Sequence, residues 1–165
     1  MSSFAHKYKS LLGEIVIASD GAAITGLWFV EQRHFDIGLE GCITDKDLPI
    51  FDEVSYWLDI YFTGNNPGEI PAVRINGTPF QMEVWRILQT VPYGKLITYR
   101  EMAEYIAQKR NIVKMSAQAV GNAVGRNPIS ILVPCHRVIG SNGKMTGYAG
   151  GIEKKVKLLK LENAI

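Results

Sequence analysis

Cysteine is scarce in this chain: its 165 residues include only two, Cys42 and Cys135. Two thiols cannot form the disulfide framework of a small secreted scaffold, nor a zinc site made of cysteine alone. Long apolar runs are missing as well. None approaches the roughly 20 residues that cross a bilayer, and the N-terminus lacks the basic and apolar segments of a secretory signal. The chain is therefore expected to be soluble and to act away from membranes, in the cytoplasm or on the nucleoid of a prokaryote, or in the nucleus of a eukaryote. Charged residues, at 21%, run slightly below the usual quarter, and apolar content is ordinary. The length allows one large domain or two small ones. In such a chain a lone thiol is more often a small buried residue than a nucleophile, so Cys135 needs independent support.

The net charge of +2 conceals an asymmetry. Residues 1–85 hold five basic and twelve acidic side chains, a balance of −7, whereas residues 86–165 hold thirteen and four, a balance of +9. An acidic first half and a basic second half point to two units with different partners. The basic half is the candidate for a polyanion, although a solvated basic face accounts for the charge equally well.

Local patterns divide the chain in the same place. Glu14–Ala18 and Ile24–Phe29 are β-like runs separated by the turn Ser19-Asp20-Gly21. Phe51, Val54, Leu58 and Phe62 recur at helical spacing, and Gly64-Asn65-Asn66-Pro67-Gly68 ends that helix. Residues 63–77 show little periodicity, which places an α+β domain with a short antiparallel sheet over residues 1–75 and a second domain over 76–165. The second domain is mainly helical. Thr78-Pro79-Phe80-Gln81 and Thr98-Tyr99-Arg100-Glu101 are capping boxes. The first opens a helix to about Thr90 that buries Val84, Ile87 and Leu88, with Val91 just beyond, and the second a helix to about Ala107. Ser116 caps a third, rich in small residues, which Asn127-Pro128 stops. Ile131-Leu132-Val133 is a short buried run leading into Pro134-Cys135-His136, and a glycine-rich loop spans residues 140–151. A last helix over about 152–162 is expected to bury Ile152, Val156, Leu158 and Leu159. The second and third helices are compatible with a helix-turn-helix, and the basic bias of this half adds weight to that reading.

A thiol becomes a good nucleophile when a neighbouring base or cation favours its thiolate. His136 and Arg137 follow Cys135 directly. In an extended segment adjacent side chains point to opposite faces, so His136 is expected to reach the sulfur only through water, with a carboxylate fixing its other ring nitrogen. Spacing alone leaves a buried cysteine beside a backbone-satisfied histidine as an equal alternative.

The stretch from Ile131 through Pro134-Cys135-His136-Arg137 to Gly140 closely resembles the active-site segment of the O6-alkylguanine-DNA alkyltransferases, the methylated-DNA–protein-cysteine methyltransferases. Pro92-Tyr93-Gly94-Lys95 with Thr98-Tyr99, Asn127-Pro128, Thr146-Gly147-Tyr148-Ala149-Gly150-Gly151 and Leu158-Leu159-Lys160-Leu161-Glu162 resemble further blocks of that family, in the same order. The strong resemblance covers about residues 78–162, and the first 75 residues are similar to the family's variable N-terminal domain only in layout. It implies an α+β chain whose second domain is winged-helix-like with a helix-turn-helix. The implied reaction is a single-turnover transfer of an alkyl group from O6-alkylguanine, and from O4-alkylthymine, in duplex DNA to Cys135 after nucleotide flipping. The protein would act as a monomer without metal or organic cofactor.

The resemblance also implies roles. Cys135 is the nucleophile, His136 its base through a bound water, and Glu162 the partner of His136, which together predict a depressed Cys135 pKa. Asn127 is a hinge, and Tyr99 donates to the guanine ring at N3. Val124, Val138, Met145, Tyr148, Ala149 and Gly150 line the pocket, and main-chain groups of Cys135, Val138 and Ala149 read the base edges. Thr98, Arg100, Gln118, Ala119, Asn122 and Arg126 meet DNA, with the recognition helix in the minor groove. One position departs from the family: Gln118 stands where members commonly carry an arginine that replaces the flipped base. The first half has no Cys/His cluster, so a structural zinc is not carried over.

Three other functions compete. A lesion-binding protein without transfer activity would lack Cys135. A sequence-specific regulator would need major-groove readers, and the third helix offers only Gln118 and Asn122. A cysteine hydrolase would need an oxyanion hole and a path for water, which residue spacing alone does not exclude.

Overall fold

The computed structural model describes residues 3–32, 39, 41–44 and 47–165. Its contacts separate into two compact units: Met1–Ile75 with Pro128–Leu132, and Asn76–Asn127 with Val133–Ile165.

In the first unit, β1 (Phe4–Ser10), β2 (Gly13–Ser19) and β3 (Ile24–Phe29) form an antiparallel meander, and β4 (Ile43–Thr44) pairs parallel with β1, giving the order β3-β2-β1-β4. Ile15, Val16, Ile17 and Ala18 are all buried, as suits a strand covered on both faces. The sequence reading did not pick out β1, because its packing face is aromatic rather than aliphatic. His6 stacks on Phe51 with centroids 5.2 Å apart, Tyr8 stacks on Phe62 at 6.3 Å, and the Tyr8 hydroxyl donates to Asp59 at 2.5 Å. Those three partners lie on α1 (Pro49–Phe62), whose buried face is Ile50, Phe51, Val54, Trp57, Leu58, Tyr61 and Phe62.

The outer edge of β3 is closed by two extended segments. The Ile24 N–H donates to Ala72 O and the Arg74 N–H to Ile24 O, at 2.7 and 2.8 Å. The Leu27 N–H donates to Pro128 O and the Ser130 N–H to Leu27 O, at 2.9 and 3.0 Å. These bonds satisfy donors and acceptors that an open edge would leave exposed. They are also why residues 128–132, remote in sequence, pack with the first unit.

The second unit contains α2 (Pro79–Gln89), α3 (Tyr99–Lys109), α4 (Ala117–Gly125), α5 (Ile152–Leu161), a 3-10 turn (Cys135–Arg137) and the short parallel pair β5 (Ile97–Thr98) and β6 (Val138–Ile139). Both capping boxes are formed, and the Ser116 hydroxyl accepts from the Ala119 N–H. α4 packs against both α2 and α3, and the Trp85 indole donates to Ala123 O at 2.8 Å in the buried space between α2 and α4. Met102, Ile106 and Val120 are fully buried there, each worth about 1.5–3 kcal/mol of transfer energy. α3 ends in a Schellman motif. Asn111 adopts the left-handed conformation, Ile112 N–H bonds to Ala107 O and Asn111 N–H to Gln108 O. The connection to α4, residues 110–116, is longer than the compact three- or four-residue turn of the simplest helix-turn-helix.

Candidate active site

Two tight turns deliver the thiol. The Leu132 N–H bonds to Ser130 O across Ile131, which is held at φ 69, a conformation that β-branched residues rarely adopt. The Cys135 N–H bonds to Val133 O at 2.8 Å across Pro134, at φ −83 and ψ 65, an inverse γ-turn. Val133 O also accepts from Asn127 Nδ2 at 2.8 Å, which ties the end of α4 to the turn that carries the cysteine. Cys135, His136 and Arg137 then form the 3-10 turn, all three buried. The extended geometry expected for this segment is thus corrected: alternation of side chains between faces does not apply, because a turn with three residues per cycle replaces it.

Glu162 is placed by a second Schellman motif, at the end of α5. Asn163 is left-handed, its N–H bonds to Lys160 O, and the Ala164 N–H bonds to Leu159 O. Glu162 is the C-cap residue and is buried. A carboxylate at a helix C-terminus faces an unfavourable dipole, and here three groups offset it. His136 Nε2 lies 2.7 Å from Oε1. Arg137 binds in a fork, Nη2 to Oε1 at 3.0 Å and Nε to Oε2 at 2.9 Å. The Gly94 N–H donates to Oε2 at 3.2 Å. Gly94 has φ 76, and a Cβ there would sit 3.1 Å from Glu162 O, so the turn at Pro92-Tyr93-Gly94 needs its glycine for conformation and for close approach. Arg137 also donates through Nη1 to Val91 O at 2.6 Å.

Burial pushes the Glu162 carboxyl upward, but the hydrogen bonds and charges of His136 and Arg137 outweigh it and hold the pKa down at about 2. Burial lowers the pKa of His136 against the pull of Glu162, and the charges of Arg137 and Lys155 lower it further. A neutral imidazole whose Nε2 faces a carboxylate carries its proton on Nε2, which puts the lone pair on Nδ1. For Cys135 the direction is opposite to the sequence expectation of a depressed pKa. Burial pushes the thiol up, and the Asn127 hydrogen bond, the Lys155 charge and backbone N–H groups only partly counter it. Proximity to a His–Glu pair says nothing about desolvation, which dominates here.

β5 and β6 pair Ile97 with Val138 and Thr98 with Ile139, and so bring Tyr99, the first residue of α3, beside the Cys135 segment. Burial raises the Tyr99 pKa, and a charge on Cys135 would raise it further. The phenol is therefore a neutral donor, and it bonds to Thr146 O at 3.2 Å. The Tyr99 ring lies over α4 at Gly121, where an added Cβ would sit 3.6 Å from it. Tyr148 meets His136 edge-on, with centroids 6.5 Å apart. Val124 and Val138 are buried, and Met145, Tyr148, Ala149 and Gly150 are half-buried.

Of the residues expected to meet DNA, Gln118, Asn122 and Arg126 are exposed at successive four-residue steps along α4 and its C-cap, hence on one face. Arg100 is exposed and pairs with Glu104 at 3.0 Å. Thr98 and Ala119 are half-buried, and the Thr98 hydroxyl accepts from the Glu101 N–H as helix cap.

Two residues of this cluster were absent from the sequence-based set. Arg137 was legible as the one cation in an otherwise apolar stretch. Lys155 is fully buried on α5. The expected apolar stripe of that helix is corrected accordingly: Ile152 is 50% exposed and Val156 half-buried, while Lys155, Leu158, Leu159 and Glu162 face inward. Among the described residues no group of three or more His, Cys, Asp or Glu side chains is placed to hold a metal ion.

A helix-turn-helix unit that buries a cysteine beside a hydrogen-bonded His–Glu–Arg cluster defines the class: a DNA-binding domain built around a thiol. Two family models match the chain: the 6-O-methylguanine DNA methyltransferase DNA-binding domain over residues 79–164, and the ribonuclease-like domain of the same family over residues 4–70. The methylated-DNA–protein-cysteine methyltransferase of Mycobacterium leprae is 39% identical over 153 residues, 93% of this chain and 88% of that one. Its counterpart in Methanosarcina acetivorans is 38% identical over 157 residues, 95% and 96% of the two chains. The crystal structure of Mycobacterium tuberculosis OGT in complex with DNA superposes with a TM-score of 0.85 at 38% identity, covering 98% of this chain and 93% of that one. The chain belongs to the methylated-DNA–protein-cysteine methyltransferase family, with a ribonuclease-like first domain and a helical DNA-binding second domain.

Proposed function

We propose that this protein removes the alkyl group from O6-alkylguanine, and from O4-alkylthymine, in duplex DNA by transferring it irreversibly to Cys135. The observation that supports this most directly is the buried cysteine followed by a histidine held by Glu162 at 2.7 Å, inside the domain that carries the family's DNA-binding signature. An O6 substituent stacked in a duplex is out of reach of a buried thiol, so the nucleotide is flipped into the pocket first. The resting thiol is protonated. Its proton passes through water to His136 Nδ1 as Sγ attacks the alkyl carbon, and Glu162 stabilises the imidazolium that forms. The new bond is S–C and the broken bond is C–O6. The electron pair of the broken bond goes to the guanine, which finally takes one proton at its ring nitrogen N1. Thiol and ether become thioether and guanine, so atoms balance without a cofactor. Tyr99 donates to N3 and disperses the charge on the leaving base. A thioether has no hydrolytic exit, so each molecule reacts once.

Duplex DNA is engaged through α4, with Gln118, Asn122 and Arg126 toward the minor groove and Asn127 as the hinge between that helix and the cysteine turn. The protein acts as a monomer in the cytoplasm or on the nucleoid. No described helix is long and apolar enough to cross a membrane.

The test is an intact mass after incubation with a duplex holding one O6-methylguanine. The protein should gain one methylene's mass on the peptide containing Cys135 and stop after one equivalent. Multiple turnovers, or the label on Cys42, would overturn the reading. Cys135→Ala should bind the lesion duplex without transfer.

A further inference from the structure

Lys155 has no part in that scheme, yet among the described residues it is the most deeply buried cation, with no exposed surface. Its ammonium donates to Thr146 O at 2.8 Å and Gly147 O at 3.5 Å, and lies 6.0 Å from the centroid of the Tyr99 ring. Thr146 O therefore has two donors, because the Tyr99 hydroxyl also bonds to it at 3.2 Å. A carbonyl oxygen can accept twice, but a phenol has a single proton to give. Tyr99 cannot hold Thr146 O and donate to a base in the pocket at the same time.

Thr146 opens the loop that carries Tyr148, Ala149 and Gly150, and the loop closes where the Gly151 N–H bonds to Tyr148 O and the Lys155 N–H to Gly151 O. If the phenol turned away from Thr146 O with no second donor present, a loop carbonyl would lose its partner just as the substrate arrived. The loop would then be held less firmly at the moment it has to line the pocket.

We propose that Lys155 is a positioning residue: it keeps the Thr146–Gly147 backbone in place while the Tyr99 hydroxyl changes partner from Thr146 O to the flipped base. The proposal rests on the reading that an alkylated base occupies this pocket. The cation is suited to the task because it bonds to two loop carbonyls and faces the Tyr99 ring, and among the described residues no carboxylate pairs with it. Burial accordingly lowers its pKa to about 8, with Cys135 pulling the other way, so the ammonium still predominates at neutral pH. An uncharged, apolar side chain of the same length would leave the loop to Tyr99 alone.

The experiment is a double-mutant cycle on single-turnover transfer from free O6-benzylguanine, using parent, Lys155→Met, Tyr99→Phe and the double variant. Thermal unfolding verifies that each is folded. If Lys155 acts through Tyr99, each single substitution slows transfer, by about tenfold or more for loss of one charge-stabilising donor, and the double variant is no slower than the slower single one. Independent effects that multiply in the double variant would overturn the proposal, since they would mean that Lys155 acts on the thiol or on the fold at large. An undiminished rate in Lys155→Met would overturn it as well. Should Lys155→Met not fold, Lys155→Leu, likewise apolar and without a donor, takes its place in the same cycle with the same two readings. The O6-methylguanine duplex assay tests the functional reading separately: a parent that gains no methyl on Cys135 there refutes the function, and a reactive parent with multiplicative losses in the cycle refutes only the role of Lys155.

Discussion

Glu162→Gln should make the protein less stable at neutral pH and less sensitive to acid. Glu162 is 2% exposed, so solvent screening of its partners is slight. Its pKa falls from an ordinary 4.5 to about 2 in the folded protein. At about 1.4 kcal/mol per pH unit, that difference contributes about 3 kcal/mol to stability. The sign follows from the depressed value: the contribution is fully present above pH 4.5 and is lost as pH falls toward 2. About 2 kcal/mol of it should be gone by pH 3. His136, held neutral by burial, also favours unfolding in acid; Glu162 pulls its pKa upward, so the substitution enlarges the variant's own acid loss and makes about 2 kcal/mol the upper value of the difference. The substitution further leaves the buried Arg137 guanidinium without its carboxylate, and removing one member of a buried pair costs about 3–5 kcal/mol. Urea titrations at pH 7 and pH 3, followed by tryptophan fluorescence, measure both quantities. The parent should lose more than Glu162→Gln between the two pH values, by up to about 2 kcal/mol. Parallel losses in parent and variant would refute the assignment of Glu162 as a buried, hydrogen-bonded carboxylate.

Two further outcomes follow from the charge and from α4. With a balance of +9 after residue 85, affinity for undamaged duplex should fall steeply with salt and vary little with sequence; a marked preference for one undamaged sequence in a binding titration would favour a regulator instead. Gln118 is exposed on the first turn of α4 and lacks the cation expected there, so Gln118→Ala should slow transfer from duplex DNA but barely change reaction with free O6-benzylguanine. Gln118→Arg should match or exceed the parent on duplex, and equal duplex rates for all three proteins would remove this residue from the extrusion step.

Resemblance in the sequence singled out Cys135, His136, Glu162 and Asn127, and the fold brings the last three into hydrogen-bonded contact with the turn that carries the cysteine. It gave no sign that Arg137 forks onto Glu162, because a cation beside a reactive cysteine reads as a neighbour of the thiol rather than of a carboxylate 25 residues away. Lys155 escaped notice for a related reason. Helical periodicity assigns a lysine to the solvent face by residue type, and only the presence of Thr146 O, Gly147 O and the Tyr99 ring makes the inner face acceptable to it. β1 was hidden because His6 and Tyr8 hold it to α1 through ring stacking, a partnership that needs Phe51 and Phe62 already in place.

The sequence by itself determined the features that close within a few residues. The capping boxes at Thr78 and Thr98 and the cap at Ser116 each join atoms three positions apart, so local chain geometry is enough to form them. Tertiary structure decided everything that depends on burial or on partners remote in the chain. Gly94 meets Glu162 across 68 positions, and residues 128–130 complete the edge of a strand formed by residues 24–29. The direction of the Cys135 pKa belongs to this second group. It is set by how completely the packed domain excludes water from the sulfur, and desolvation is a property of the whole enclosure rather than of any motif.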